Sequence, residues 1–520
     1  MIDKIKILWA DDEIDTLKPQ ILFLKQKGYD VITVSNGHDA VEECENNKDI
    51  DVVFLDESMP GLTGLETLAV IKSKNANLPI VMITKNEAEH IMEEAIGSQI
   101  SDYLIKPVNP NQILLTLKKL IDNKRLVSEK HTSDYQQDFR QIFMEINSGL
   151  SFEEWADVYK KIINWELKLD SSNNPSMMEI LSTQKSEANS EFFKFISKNY
   201  KNWINETAKE SPTMSYNLMR KKVFPNLDSN RPTVMVLMDN LRYDQWRIIE
   251  PIITELYRTE EEDFFYSILP TATQYSRNAI FSGLMPSEIE AKFPQWWLND
   301  IDEGGKNMYE HELLNEQVKR VFRKELKVDY VKITNTASGK QLQDNILNYL
   351  HNDLTVIVYN FIDMLSHART EMEVLKELAG DETAYRSLTK SWFLHSPLWA
   401  ALQKVAERDV QLIITTDHGT IRVKQPSRVI ADRETTSNLR YKVGRNLQFD
   451  PKDVFDIRDP KEVKLPRPNV SSSFIFAKED KFFLYPNNYN YYHGYFKNTF
   501  QHGGISLEEV ICPVIKLRNR

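Results

Sequence analysis

Short apolar runs that stop abruptly at an acid, a hydroxyl or a lysine punctuate both ends of this chain. Ile5 to Ala10 runs into Asp11-Asp12, Val52 to Leu55 into Asp56, Pro79 to Ile83 into Thr84, and Ser101 to Ile105 into Lys106-Pro107. The stretches between them have helix length, so the pattern predicts βα alternation and a doubly wound sheet. The same punctuation returns further on, where Thr233 to Met238 runs into Asp239, Leu354 to Ile362 into Asp363, and Val410 to Thr415 into Asp417-His418. Runs this short, apolar and β-branched predict parallel strands covered on both faces. Side chains just past the carboxyl ends of such strands converge on one crevice.

Between these blocks the period changes. Pro110 can start a helix, and Gln112 to Ile121 carries apolar residues at helical spacing. Further stripes follow at Phe139, Phe143 and Ile146, at Trp155, Tyr159, Ile162, Ile163 and Trp165, and at Phe192, Phe193, Phe195 and Ile196. Gly149 is the sole glycine between residues 98 and 206, which argues for a helical bundle over a floppy linker. At 520 residues the chain holds three domains. The expectation is an α/β fold class throughout: a doubly wound domain over 1–122, a helical bundle connector over 123–206 and a large α/β domain over 207–520.

The net charge of −11 gives no basic footprint for a nucleic-acid backbone, which argues against a DNA-binding domain. Cys44 and Cys512 are the only cysteines and lie in apolar surroundings, the pattern of buried thiols in a reducing compartment. The start, Met-Ile-Asp-Lys, lacks a basic segment followed by an apolar one, and no apolar run reaches the roughly 20 residues of a membrane span. A cytoplasmic location without a membrane span is expected.

At the amino end, Asp11, Asp12 and Asp56 would crowd like charges unless a hard cation sat among them, which suits Mg²⁺. A phosphoryl group on Asp56 would then be held by the ion, Thr84 and Lys106. These five residues, with Leu55-Asp-Glu-Ser-Met-Pro-Gly-Leu-Thr-Gly-Leu65, resemble the CheY-type receiver domain. The resemblance implies that Asp56 is the phosphoacceptor, that Ser58 joins the Mg²⁺ set, and that Tyr103 is the aromatic switch beside Thr84 and Lys106.

At the other end the residue types are those of a zinc site. Asp363 and His367 lie four apart, so on a helix they face one way and can grip one ion, with His502 completing it. Asp417 and His418 are neighbours that can share an ion only in a turn, together with Asp239. Thr271 follows Pro270 and can cap the helix that carries Ala279, Ile280 and Phe281, where dipole and metal would favour an alkoxide. The order Asp239, Pro-Thr-x-Thr, Asp-x-x-x-His, Asp-His-Gly and His502-Gly-Gly-x-Ser-x-x-Glu509, with Pro513 after, resembles the alkaline phosphatase superfamily and its PglZ-type domains, over about 207 to 520. The resemblance implies two zinc ions, one on Asp363, His367 and His502, the other on Asp239, Asp417 and His418 beside a Thr271 nucleophile. It implies a hydrolase passing through a phospho-threonine or nucleotidyl-threonine intermediate.

The arginine or third metal that monoesterases of the superfamily place on terminal phosphate oxygens has no clear counterpart here. Arg277 is either such a contact or a surface helix charge. The missing clamp tilts the expectation toward phosphodiesters of nucleotides or oligonucleotides. Phe483 to Phe496 is dense in tyrosine and either stacks nucleobases or packs as a loop on the domain. Within it His493 is a spare ligand or a plain loop residue, and Trp296 and Trp297 either wall a groove or fill the core. The whole order of receiver, bundle and PglZ domain resembles the PorX-type response regulators. That resemblance implies a sensor histidine kinase, a homodimer on phosphorylation, and a sigma factor or a type IX secretion protein as partner. The competing expectation is a non-catalytic scaffold that docks a partner when Asp56 is phosphorylated; a DNA-binding regulator is the weaker third.

Overall fold

The computed structural model describes residues 5–520 apart from 48, 76–77, 86–99, 173–174, 228–230, 323–324, 372–379 and 433–434. The chain divides into two compact units, Met1–Asp134 and Tyr135–Arg520.

The first unit is built on five parallel strands, β1 (Lys6–Ala10), β2 (Asp30–Val34), β3 (Val52–Asp56), β4 (Ile80–Thr84) and β5 (Asp102–Ile105), in the order β2-β1-β3-β4-β5. This is the doubly wound arrangement whose switch point lies between the first and third strands. Both faces of β3 and β4 are buried, which is why their sequences are continuously apolar. One apolar cluster centres on Trp9, Phe54 and Val81, the other on Leu8, Val53 and Leu55, so adjacent residues of one strand face opposite cores.

In the second unit the expected bundle forms as the end of helix Pro110–Ile146 with helices Phe152–Ser172 and Pro175–Ile204. It does not have a core of its own: Trp155, Tyr159, Phe192 and Trp203 belong to the same buried cluster as Val236, Ile357 and Ile414 of the large sheet. That sheet has six strands, β6 (Thr233–Met238), β7 (Tyr257–Tyr266), β8 (Val328–Ile333), β9 (Leu354–Tyr359), β10 (Gln411–Thr415) and β18 (Ile511–Asn519), ordered β7-β18-β10-β6-β9-β8. The strands β10, β6, β9 and β8 are parallel, while β18 pairs antiparallel with β10 and β7. Strand β9 is shorter than expected: the chain leaves it after Tyr359 and enters helix Phe361–Glu371, which carries Asp363 and His367 on one face.

A smaller lobe carries β11 (Ile421–Arg422), β12 (Gln425–Arg428), β13 (Tyr441–Gly444), β14 (Val454–Ile457), β15 (Ser473–Ala477), β16 (Lys481–Leu484) and β17 (Phe500–Gln501). It pairs β11 with β17, β12 with β16, and β15 with both β13 and β14. The tyrosine-rich segment is a helix, Tyr489–Phe496, in place of the expected loop. Among the described residues no helix is long and apolar enough to cross a membrane.

Candidate metal centre

The loops after β6 and β10 and helix Phe361–Glu371 bring the predicted ligands into two groups. Atoms of Asp363, His367 and His502 lie within 4.8 Å of one another, and so do atoms of Asp239, Asp417 and His418. The groups touch. The rings of His418 and His502 stack with centroids 4.3 Å apart, and Asn240 donates from its backbone to Asp417 Oδ1 at 3.2 Å and from its side chain to Asp363 Oδ1 at 3.3 Å. Asn240 sits at φ 66°, a left-handed turn that asparagine tolerates, and this swings the chain off β6 immediately after Asp239.

The imidazoles of buried His418 and part-buried His502 are each oriented by a backbone carbonyl. His418 Nδ1 is 3.1 Å from Gly419 O, and His502 Nδ1 is 3.1 Å from Thr271 O. Donation from Nδ1 to these carbonyls leaves Nε2 as the ligand atom. Those Nε2 atoms face carboxylates: His418 lies 3.8 Å from Asp417 Oδ2 and 3.9 Å from Asp239 Oδ1, and His502 lies 3.7 Å from Asp363 Oδ1. His367 Nε2 lies 3.6 Å from Asp363 Oδ2 on a side chain 62% exposed, so this face of the site is open to solvent.

The charge balance fits divalent cations. Burial, and then the neighbouring Asp239, push Asp363 and Asp417 up to about 6. Asp417 Oδ2 is fully buried and, among the described residues, accepts no hydrogen bond. Burial pulls His418 down, but Asp417, Asp239 and Asp363 together raise it above its ordinary value, while burial and its neighbours His418 and His367 lower His502. Three crowded carboxylates with an orphaned oxygen beside inward-facing imidazole nitrogens form a donor set suited to zinc.

Among the described residues Arg277 is the guanidinium that pairs with these ligands, and it is 2% exposed, so it is no surface charge. It donates to Asp239 Oδ2 at 2.8 Å and pairs with buried Glu310. Its charge is shared between Glu310 and Asp239.

Thr271 is where the expectation and the structure part. The helix begins at Thr273 with Ala272 as its cap residue, one place later than expected. Thr271 is buried, and its hydroxyl donates to Gly504 O at 2.8 Å and accepts from Gly503 N at 3.0 Å. The hydroxyl beside the ligands belongs to Thr273, 3.1 Å from His418 Nε2 and 3.3 Å from Asp239 Oδ1. An extended segment would point residues two apart the same way, but the backbone turns into the helix at Thr273, so of the two threonines in Pro-Thr-x-Thr one braces the His502 loop and the other, at the first helical position, faces the ligands. The second threonine of the motif was the available signal.

The Gly-Gly after His502 has a steric origin. Gly503 adopts φ 118°, and a Cβ there would fall 2.5 Å from the Tyr441 ring. Glu509, buried at the motif's end, accepts from Gly504 N at 2.9 Å and Ser506 Oγ at 2.7 Å and pairs with buried Arg440, whose Nη2 lies 2.6 Å from Oε2. It pins the loop that presents His502. Arg440 carried no motif and was not expected. Trp297 is buried edge-on against Tyr275, which assigns it to the core, and His493 packs on Phe482.

In the first unit Asp11, Asp12 and Asp56 also approach within 4.8 Å, at the carboxyl ends of β1 and β3. Lys106 bridges Asp11 Oδ2 at 2.9 Å and Asp56 Oδ1 at 3.0 Å. Burial raises Asp56 to about 6 in spite of Lys106. Thr84 is buried with its hydroxyl on Glu57, Tyr103 is 38% exposed, and Ser58 is exposed. Cys44 is half-buried rather than buried, and Cys512 is buried.

Comparison with known proteins finds three domains along the chain. The response regulator receiver domain matches residues 7–118, the PorX response regulator linker domain residues 125–204, and the BREX system PglZ alkaline phosphatase-like domain residues 218–517. The last covers more than half of the chain. The chain belongs to the PglZ alkaline phosphatase-like family. Together the three domains are those of a PorX-type response regulator, with a receiver as input and a PglZ domain as output. Curated relatives include the cyclic di-GMP phosphodiesterase of Thermotoga maritima, 26% identical over 30% of this chain and 42% of that protein. Another is the alkaline phosphatase synthesis regulator PhoP of Bacillus subtilis, 30% identical over 24% of this chain and 51% of its own length. The chain thus spans about half the length of these curated relatives or less. Among solved structures, CheY4 of Vibrio cholerae is 28% identical over 23% of this chain and all of its own, with a TM-score of 0.22. The PglZ assignment indicates a hydrolase fold, and the receiver implies a histidine kinase.

Proposed function

We propose that the PglZ domain is a zinc-dependent phosphodiesterase acting on nucleotide or oligonucleotide diesters, and that phosphorylation of Asp56 in the receiver controls it. The observation that carries this reading is the pair of three-ligand groups meeting at the stacked His418 and His502 rings, with the Thr273 hydroxyl 3.1 Å from His418 Nε2. Asp363, His367 and His502 would hold one zinc ion, and Asp239, Asp417 and His418 the other. Bound there, the ions would act as Lewis acids that neutralise phosphoryl oxygens and make a neighbouring hydroxyl more acidic.

The chain's own residues supply position and charge. Thr273 stands at the first turn of a ten-residue helix, so unpaired backbone N–H groups and the positive helix end favour both an oxyanion and a docked phosphate. Its oxygen forms a bond to phosphorus as the bond to the leaving ester oxygen breaks; the hydroxyl proton passes to solvent at the open side of the site, since the imidazole and carboxylates facing it would be holding the ions, and the leaving oxygen takes a proton from water. Water then cleaves the nucleotidyl-threonine, releasing the nucleotide monoester and restoring the hydroxyl. Arg277 holds Asp239 in place, and among the described residues no second guanidinium pairs with the ligand carboxylates to clamp a terminal phosphate. That favours diesters over monoesters.

In the receiver, Asp11, Asp12 and Asp56 would hold Mg²⁺, with Ser58 beside them, and Lys106 and Thr84 would stabilise the phosphoryl group. A sensor histidine kinase would supply it, and homodimer formation with a sigma factor or secretion-system partner in the cytoplasm completes the proposal. Domain limits near 122 and 206 go with it.

The test is turnover on a panel of mono- and diesters, with elemental analysis of the protein before and after acetyl phosphate treatment. The expected result is zinc, nucleotide-diester cleavage and a change on phosphorylation. Equal cleavage of simple monoesters rejects the diester preference, and absence of both zinc and hydrolysis leaves the docking scaffold.

A further inference from the structure

Away from the metal ligands, a cavity of about 580 Å³ opens in the small lobe between the loop after Val429 and helix Tyr489–Phe496. Its size lies within the range of about 300–1,000 Å³ typical of small-molecule sites. Two observations about its polar lining are unusual. Lys442 is 1% exposed, yet among the described residues its ammonium meets no carboxylate: it donates to Thr436 O at 2.9 Å and lies 4.7 Å above the Tyr485 ring. The Thr435 hydroxyl, also at the cavity, is buried with no hydrogen-bond partner among the described residues. A buried cation without a counter-ion is costly, and the cost falls when an anion enters beside it.

The rest of the lining is apolar and aromatic, from Leu439 and buried Phe483 at the back to Phe496 and Tyr492 toward solvent. Tyr492 is 40% exposed and its ring lies nearly parallel to that of Phe496, 6.0 Å away. The acid on the lining, Asp432, is exposed at the rim and accepts from Asn446 Nδ2. The lobe therefore offers a hydrogen-bonding cation at depth and flat rings at the mouth. A negatively charged group with a planar aromatic attached matches both.

We infer that this cavity is a nucleotide-binding site separate from the metal centre, with the phosphate beside Lys442 and Thr435 and the base against Tyr492 and Phe496. The rings supply stacking, which tolerates any base, and the ammonium supplies charge. The two sites share β13: an added Cβ on Gly503, next to His502, would strike the Tyr441 ring, and Lys442 follows Tyr441 in that strand. Side chains alternate across a strand, so Lys442 faces the cavity while Tyr441 faces the His502 loop. The choice of a nucleotide over another aryl phosphate rests on the substrate reading above; the anion-plus-aromatic site does not.

Calorimetric titration of the full-length chain with adenosine 5′-monophosphate tests it, alongside adenosine, inorganic phosphate and phenyl phosphate, with and without chelator. The expected result is saturable binding of the nucleotide, tighter than either fragment, unaffected by chelator, and weakened roughly tenfold or more by Lys442→Met and by Tyr492→Ala. Tyr492 is at the rim, so its variant keeps the fold. Undiminished binding in both variants, or binding abolished by chelator, overturns the site. Phenyl phosphate binding as tightly as the nucleotide overturns the nucleotide assignment. Loss of hydrolysis on every diester with this binding intact would reject the phosphodiesterase reading alone.

Discussion

Asn189 on the helix Pro175–Ile204 holds the segment that follows His502: its Oδ1 accepts from Leu507 N at 2.7 Å and its Nδ2 donates to Glu508 Oε2 at 3.1 Å. Lys185, one turn earlier, lies 3.1 Å from the other Glu508 oxygen, and Tyr200 on the same helix accepts from Leu269 N, just before the Pro-Thr-x-Thr loop. One linker helix thus braces both loops of the metal centre. Asn189→Leu strips partners from a buried N–H and a buried carboxylate, a loss of about 1–3 kcal/mol. Denaturant unfolding should show that loss, and diester turnover should fall with it. Full turnover in the variant would uncouple the linker helix from the His502 loop.

The two threonines of the Pro-Thr-x-Thr motif are expected to behave differently. Thr273→Ala should lower turnover on the order of 10³-fold or more while elemental analysis finds the metal retained. Thr271→Val removes the link to Gly503 and Gly504 and should act through stability and the seating of His502, with a loss of about 1–2 kcal/mol and a milder fall in turnover. The reverse ranking of the two variants would return the nucleophile to Thr271.

Arg440 and Glu509 form a buried pair, each 0% exposed, that anchors the loop carrying His502. Arg440→Met leaves the carboxylate unpaired. Breaking such a pair from one side costs about 3–5 kcal/mol. Thermal unfolding should register that cost, and zinc should dissociate more readily because one of its ligands is no longer held. Replacing both residues with apolar ones should recover much of the stability and little of the zinc affinity.

What could be read from sequence depended on whether the chemistry was periodic or long-range. The spacing of Asp363 and His367 already contained the helical i, i+4 relation, and the apolar runs before Asp56, Asp239 and Asp417 already contained the strands that deliver them. The Thr273 hydroxyl was missed because one residue's shift in a helix start redirects a side chain, and helix starts are only loosely encoded where no capping side chain is needed. Arg440 was invisible because its role depends on a partner 69 positions away. Arg277 looked like a helix surface charge because its periodicity says nothing about what packs on that face.

In the receiver, Lys106 neutralises Asp11 and Asp56 from a position 11% exposed. Asp56→Asn should abolish labelling by acetyl phosphate. Lys106→Met should still accept the phosphoryl group but lose the response to it, because the cation that would move to the phosphate is gone. Mass spectrometry reads the first outcome, and diester turnover with and without acetyl phosphate reads the second. A phosphorylated Lys106→Met protein with an unaltered response would remove Lys106 from the switch.

Burial holds the Lys442 ammonium at about 7, down from 10.5. Among the described residues, Thr436 O and the Tyr485 ring meet it, and Thr435, Ser437, Asn487 and the rim carboxylate of Asp432 also line its cavity. Between about pH 7 and 10.5 the unfolded chain binds a proton here that the folded one does not, so this lysine makes stability rise with pH across that window. Below about 7 the full cost of burying the charge applies. Lys442→Met removes that cost and should stabilise the ligand-free protein at neutral pH by on the order of 2–4 kcal/mol. Toward pH 10.5 the advantage should shrink to nothing, since both folded proteins then carry a neutral side chain. Urea unfolding of both proteins at pH 7 and pH 10 measures the difference, and a gap that stays constant with pH would show that the ammonium is already paired.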